Sequence, residues 1–368
     1  MRLFRLLLLG GSTVVAGPGI SGAQTRQTQV NGFGHVELTA SREAGATDAY
    51  FSLGEHSLFV ASSLSSRISF LGEYVVRFNG ASATNYLPSI ERSLVKFSYS
   101  NNHALIVGKV HTPANYWNDS YHHGRLFFPV IDRPLAFSHL VPLHTLGVQL
   151  QGQNLGGARF GYDVMVGNGV ASTDAAAKGT SPSSLVAVHV KPRENLRLSA
   201  SYYYDHMSKN AYGTHSGHTV ASSRPATGAY GGPLTFQLTS ASVAWFTERV
   251  EVLNEFSYNV SGTDSLGAAH NVANFTYLGV RLGERGVPYA FADQIRTADN
   301  DVHVYPMDKR KVGVGYRYDF SPLINVKAQV ERRSERAMHR EHIDLASSLR
   351  HRHLTHAYGF RLQLAYGF

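Results

Sequence analysis

The chain has 368 residues, with 34 Lys and Arg against 26 Asp and Glu, a formal net charge of +8 and no cysteine. The lack of cysteine excludes a disulfide scaffold and a thiol enzyme. The charge excess is arginine spread along the chain, so there is no compact basic arm of the kind that binds nucleic acid.

The N-terminus carries an export pattern. Arg2 and Arg5 precede a short apolar core from Leu6 to Ala16, Pro18 and Gly19 break any helix, and Ser21-Gly22-Ala23 places small residues at a cleavage position. Residues 1–23 are expected to be a secretory signal peptide, too short in its apolar core to span a membrane. No cysteine follows that core, which excludes a lipoprotein anchor. Beyond it no run reaches the roughly 18 consecutive apolar residues of a transmembrane helix. Residues 24–368 are expected to form one domain.

That domain divides into short segments in which apolar and polar residues alternate, the period of a strand with one oily and one wet face. The pattern predicts strands at approximately 30–39, 50–60, 67–78, 91–99, 103–110, 144–153, 158–167, 184–192, 196–205, 235–246, 251–260, 273–282, 288–296, 310–320, 323–332 and 356–368. The clearest apolar rows are Phe160/Tyr162/Val164/Val166, Leu196/Leu198/Ala200/Tyr202/Tyr204 and Val312/Val314/Tyr316/Tyr318/Phe320. Segments 50–60 and 288–296 are the weakest.

The connections alternate in length. Asn101-Asn102, Asn154-Leu155-Gly156, Arg193-Glu194-Asn195 and Ser321-Pro322 have tight-turn chemistry. Long connections are expected at roughly 111–143, 168–183, 206–234, 261–272, 297–309 and 333–355. Short turns on one rim and long loops on the other predict an all-β fold: a transmembrane antiparallel β-barrel of about 16 strands, with 14 to 18 acceptable, short periplasmic turns and long extracellular loops. A barrel of that size leaves an aqueous lumen.

The last strand runs to the end of the sequence. Tyr358, Phe360, Leu362, Leu364, Tyr366 and Phe368 alternate with Gly359, Arg361, Gln363, Ala365 and Gly367. The terminal Phe368, with aromatics or leucines at alternate positions before it, resembles the membrane-insertion signal of Gram-negative outer-membrane barrels. Together with the export signal, the alternating strands and the unequal connections, it makes the whole mature chain resemble a Gram-negative outer-membrane porin. The resemblance implies passive diffusion of small hydrophilic solutes across the outer membrane. It also implies lipid and lipopolysaccharide around the barrel, assembly machinery that engages the C-terminal strand, and a homotrimer as the common assembly.

The third long connection, 111–143, stands apart. It holds Trp117, Phe127, Phe128 and Phe137, stiffened by Pro113, Pro129, Pro134 and Pro142. A segment this long and apolar is expected to bury itself against something. It is similar to the third external loop of general porins, which folds inward, and the resemblance makes its polar residues the pore constriction: Asn118, Asp119, Tyr121, His122, His123, Arg125, Asp132 and Arg133. An external lid or a subunit contact is the alternative. The segment lacks the acidic Pro-Glu-Phe-Gly-Gly-type motif of enterobacterial porins, so their selectivity residues do not carry over.

Strand parity places Glu73 and Arg77 on the lumen wall. Lys96, Lys109, Arg159, Arg197, Arg317 and Lys327 have less clear parity. The wet wall carries more Arg and Lys than carboxylate, which predicts weak anion preference with Arg125 and Arg133 at the narrowest point. Alternatively these arginines pair with Glu73, Asp119 and Asp132 and only brace the loop.

Eleven of the 19 histidines fall in three groups: His111/His122/His123, His206/His215/His218, and His339/His342 with His351/His353/His356. Arg350 and Arg352 interleave the last group and oppose a bound cation, so no metal or other cofactor is expected. Asp205-His206, and Asp119-Ser120 with His122, supply catalytic residue types without motif spacing. An enzyme is not expected. The alternatives are an outer-membrane barrel enzyme of protease or lipase type and a plugged barrel acting as a structural or assembly partner.

Overall fold

The computed structural model describes residues 27–43, 46–78, 86–122, 124–170, 181–207, 232–304, 306–338 and 352–368. The expected signal peptide lies outside the described residues, as do His123, His215, His218, His339, His342 and His351. The strand segments are β1 (Thr28–Glu43), β2 (Ala46–Leu53), β3 (His56–Ser63), β4 (Ile68–Phe78), β5 (Tyr86–Ser98), β6 (His103–His111), β7 (His144–Leu155), β8 (Phe160–Gly167) and β9 (Ser183–Arg193). They continue with β10 (Leu196–Met207), β11 (Leu234–Phe246), β12 (Val250–Thr263), β13 (Gly267–Val280), β14 (Gly286–Arg296), β15 (Met307–Ser321), β16 (Ile324–Met338) and β17 (Arg352–Gly367).

Each strand pairs antiparallel with its neighbours, and β17 pairs with both β16 and β1, which closes the sheet. The segments β2 and β3 both lie along β1, with Ala46–Leu53 opposite Val36–Glu43 and Ser57–Ser62 opposite Thr28–Phe33. They are two halves of one barrel strand, parted at Gly54 and Glu55. The barrel therefore has 16 strands. The interruption falls in the segment whose alternation was weakest, and it displaces Glu55 from the ladder.

Alternation decides which face each side chain takes. On β15, Val312, Val314, Tyr316 and Phe320 are exposed on the outside, while Lys311 and Arg317 between them are buried inside. The same division on β17 sets Tyr358, Phe360, Leu362, Leu364 and Phe368 outward and buries Gln363 and Ala365. A closed wall with an apolar outer band satisfies every ladder hydrogen bond internally, as a strand must in hydrocarbon. The C-terminus is part of that wall: the Phe368 N–H donates to the Gly32 carbonyl at 2.9 Å, and the Gly32 N–H donates to the Phe368 carbonyl at 2.8 Å. The Phe368 ring lies over Gly32, where an added Cβ would sit 2.2 Å from it, so a side chain at this position would displace the terminal aromatic.

The predicted connections need one correction. The range 261–272 is not a long loop. Strands β12 and β13 run on in register to Thr263 opposite Gly267, leaving a turn of 264–266. The Leu266 N–H donates to Thr263 Oγ1 at 3.0 Å, and Gly267 takes a left-handed φ of 72°. Small polar residues such as Ser261 and Gly262 hide a strand from the alternation test, because a strand projecting past the bilayer meets no demand for an apolar outer row. The parity of Arg159 also resolves against the wall: it sits in the β7–β8 turn at φ 48° and pairs with Glu194 at 3.2 Å.

The principal apolar core lies inside the barrel. Trp117, Phe128, Val130, Phe137 and Leu140 from the segment between β6 and β7 are almost fully buried, and they cluster with inward rings of β13 and β14 such as Phe275, Tyr277 and Tyr289.

Candidate functional site

The segment between β6 and β7 is closed at its neck by its own backbone and by one amide. The Thr112 N–H donates to the Leu143 carbonyl at 3.0 Å. Asn118 Nδ2 donates to the carbonyls of Thr112 at 2.7 Å and Leu143 at 2.9 Å, tying both ends of the segment to one buried side chain. Asn118 is held in turn by a short helix, α1 (Tyr116–Ser120), whose N-cap Asn115 accepts from the Asn118 N–H at 2.9 Å. Capping by asparagine satisfies a donor that helix geometry leaves open. Glu255 of β12 anchors this turn, accepting from Asn115 Nδ2 at 2.7 Å and from the Trp117 N–H at 2.9 Å.

Beyond α1 the chain reverses at Gly124, whose φ of 83° favours glycine. A 3₁₀ turn follows at Arg125–Phe127. Its carbonyls are held from β16: Asn325 Nδ2 donates to Leu126 at 2.5 Å, and Lys327 Nζ donates to Arg125. A second short helix, α2 (Leu135–His139), begins with the Leu135 N–H donating to Asp293 of β14 at 2.9 Å.

Charge concentrates at the tip between these turns. Asp132 pairs with Arg361 of β17 and with Lys311 of β15 at 3.2 Å, and Arg333 of β16 stands 4.0 Å away. Burial alone would raise its pKa, but Arg361, Lys311 and Arg125 outweigh it and hold the carboxyl well below the usual range. Arg133 makes a two-pronged pair with Glu55, at 2.9 and 2.6 Å, using the residue that the β2–β3 break displaces. Arg133 also donates twice to the His122 carbonyl, at 3.0 and 2.8 Å. Arg125 donates to the Ile131 carbonyl at 2.5 Å, and burial, then the neighbouring Arg133, lowers its pKa to about 10.

The remaining predicted residues fall as follows. Asp119 pairs with Arg197 of β10 at 2.7 Å. Tyr121 is packed edge-on against Trp117, and burial raises its hydroxyl pKa well above the ordinary value. Glu73 is buried on the wall and pairs with Arg92 at 2.5 Å; Arg77 pairs with Glu91 at 2.5 Å. The carboxylates named as alternative partners, Glu73, Asp119 and Asp132, pair with Arg92, Arg197 and Arg361, while Arg133 pairs with Glu55 and Arg125 donates to a backbone carbonyl. Asp119 turns to Arg197 and His122 to Asn118, while Asp205 accepts from Tyr203 at 3.0 Å and from the Val170 N–H at 2.8 Å.

His122 meets His111 and His144. The last was absent from every predicted cluster. Its signal was positional: it is the first residue after the segment, as His111 is the last before it, and the hairpin sets the two opposite each other.

No protein-family model matches the chain, and no curated protein matches its sequence. Solved structures do match. The anion-selective porin from Comamonas acidovorans is 10% identical with a TM-score of 0.65, covering 93% of this chain and 100% of that one. In-vitro folded OmpT, an outer membrane protein of Vibrio cholerae in its trimer form, is 11% identical with a TM-score of 0.60, covering 93% of this chain and 99% of that one. Salmonella typhi OmpF in complex with daunomycin is 8% identical with a TM-score of 0.58, covering 93% and 98%. Likeness at these identities is likeness of fold. The chain has the closed 16-strand barrel of outer-membrane porins. With its apolar outer band and, among the described residues, a sheet closed on itself, it is built as a membrane-spanning β-barrel.

Proposed function

We propose that the protein is a porin: it lets small hydrophilic solutes diffuse passively through a lumen that the 112–143 segment narrows, with a weak preference for anions. One observation carries this reading. The segment is bonded to distant parts of the inner wall at once, to Glu255 on β12, Asp293 on β14, Lys327 on β16, Arg361 on β17 and Glu55 at the β2–β3 break. A segment tied to so much of the circumference crosses the channel rather than capping it. The charges support weak anion preference. Arg125, Arg133, Lys311, Lys327, Arg333 and Arg361 gather near Asp132, Glu37, Glu55, Asp293 and Glu331, a small cationic excess in a confined space.

The reading assigns no catalytic step. It places lipid and lipopolysaccharide around the outer band in a Gram-negative outer membrane, with the Tyr358-to-Phe368 row engaging the assembly machinery. The trimer form of the Vibrio neighbour supports a homotrimer here. Planar-bilayer recording on the purified protein in a salt gradient tests the function. Stepwise currents with a reversal potential displaced toward the anion are expected. A folded barrel that passes no current would overturn the porin reading in favour of a plugged barrel, a role that the apolar packing around Trp117 and Phe128 would suit.

A further inference from the structure

Three histidines converge at the neck of the segment, away from the Asp132 tip. His111 and His144 face each other on the last rung of the β6–β7 hairpin, and His122 follows α1. The His111 and His122 rings are stacked with centroids 3.6 Å apart and planes at 19°. The His144 ring lies 5.0 Å from the first and 4.5 Å from the second. One ring nitrogen from each histidine lies within 4.8 Å of the other two. His122 and His144 are buried, each at 2% exposure.

We propose that His111, His122 and His144 form a binding site for one divalent transition-metal ion, with Zn²⁺ as its probe. The donor set suits the ion: three neutral imidazoles, with a fourth position left for water, are an established way to hold zinc. Bonds of about 2.0–2.1 Å in tetrahedral geometry require ligand nitrogens roughly 3.4 Å apart. The ligand nitrogens already lie within 4.8 Å of one another, and binding would turn the His111 and His122 rings out of their stack so that both nitrogens point at the ion.

An oxygen acceptor also stands beside each ring. His144 Nε2 lies 2.8 Å from Glu91 Oε2, His111 Nε2 lies 3.4 Å from Glu73 Oε2, and His122 Nδ1 lies 2.5 Å from Asn118 Oδ1. Of these three contacts the His122–Asn118 one is a hydrogen bond, and it fixes the His122 ring as outer-shell partners do for metal-binding histidines; the Glu91 and Glu73 oxygens lie beside the other two rings as nearby charges. Arg77 and Arg92 balance Glu91 and Glu73 from the far side, and Arg133 lies on the His122 carbonyl, so the ion adds its charge to a pocket whose nearby carboxylates and guanidiniums already offset each other. Two ligands belong to the wall and one to the segment, so the ion would lock the segment to its own hairpin.

Titration of the folded barrel with Zn²⁺ by calorimetry tests the site, with Co²⁺ absorption as a second readout. One Zn²⁺ per chain is expected, along with the intense visible bands of tetrahedral cobalt. His122→Gln should weaken Zn²⁺ binding by about tenfold or more, while His270→Gln, at an exposed histidine on β13, should leave it unchanged. Absence of stoichiometric binding in the parent protein, or equal binding by the two variants, would overturn the proposal. Should His122→Gln fail to fold, the nitrogen hyperfine pattern of Cu²⁺ bound to the parent decides: three nitrogens support the site and two or fewer refute it.

Discussion

The two moorings of the 112–143 segment are built from different chemistry. At the neck, Asn118 and the Thr112–Leu143 pair hold the segment to its own hairpin through buried, neutral hydrogen bonds, and the Glu255 carboxylate of β12 holds α1. At the tip, Asp132 and Arg133 hold it to β15, β17 and the β2–β3 break through ion pairs between residues far apart in sequence. A neutral, buried mooring is insensitive to salt and fixes geometry. In the proposed pore an ionic mooring would be screened and tunable, and it would put charge where a passing solute meets it.

The sharpest way to break the comparison is to cut the neck. Asn118→Ala removes the amide that satisfies two buried carbonyls and accepts at His122, and should cost about 3 kcal/mol of segment docking by the penalty for stranded buried groups. Hydrogen exchange of the segment amides checks this; protection should fall equally in low and high salt. At the tip, Asp132→Asn removes the carboxylate that Arg361 and Lys311 share, leaving Arg361 on Glu37 and Lys311 near Asp293. Because Asp132 is partly exposed, the expected cost is smaller, about 1–2 kcal/mol, and it should shrink as salt rises. The same variant should shift the reversal potential further toward anions. Arg125→Ala with Arg133→Ala should move it the other way, and an unchanged potential would remove both arginines from the account of selectivity.

The smallest effect is a pH dependence. Burial, then Lys309, lowers the His139 pKa from 6.5 to about 4. Docking therefore keeps His139 neutral while the undocked form titrates normally. Its burden is nil above pH 6.5. As pH falls from 6.5 toward 4 the undocked form takes up a proton that the docked form refuses, so docking weakens across that window and levels off below it. Hydrogen exchange near α2 should accelerate over that range, and His139→Phe should flatten the profile.

Much of the wall was legible from the alternation of residues, because lipid on one side and water on the other impose a period of two on every strand. The rows through Val312 and Tyr358 carry that signal directly. It fails where the physical demand lapses. Beyond the bilayer, Ser261 to Ala269 need no apolar row, and at Gly54-Glu55 the ladder breaks to send a carboxylate to Arg133. The polar residues of the segment were legible as a set, but their partners were not. Glu55, Glu255, Lys311 and Arg361 are distant in sequence, and only barrel closure brings them to Arg133, Trp117 and Asp132. His144 escaped for the same reason on a smaller scale: its relation to His111 exists only in the hairpin register.

The central claim is that the segment crosses an open lumen, and deletion of 115–135 tests it most directly. Single-channel conductance of the deleted barrel should rise well above that of the parent at the same salt, with weakened anion preference. Equal conductance from the two folded proteins would place the segment outside the conducting path and contradict the account.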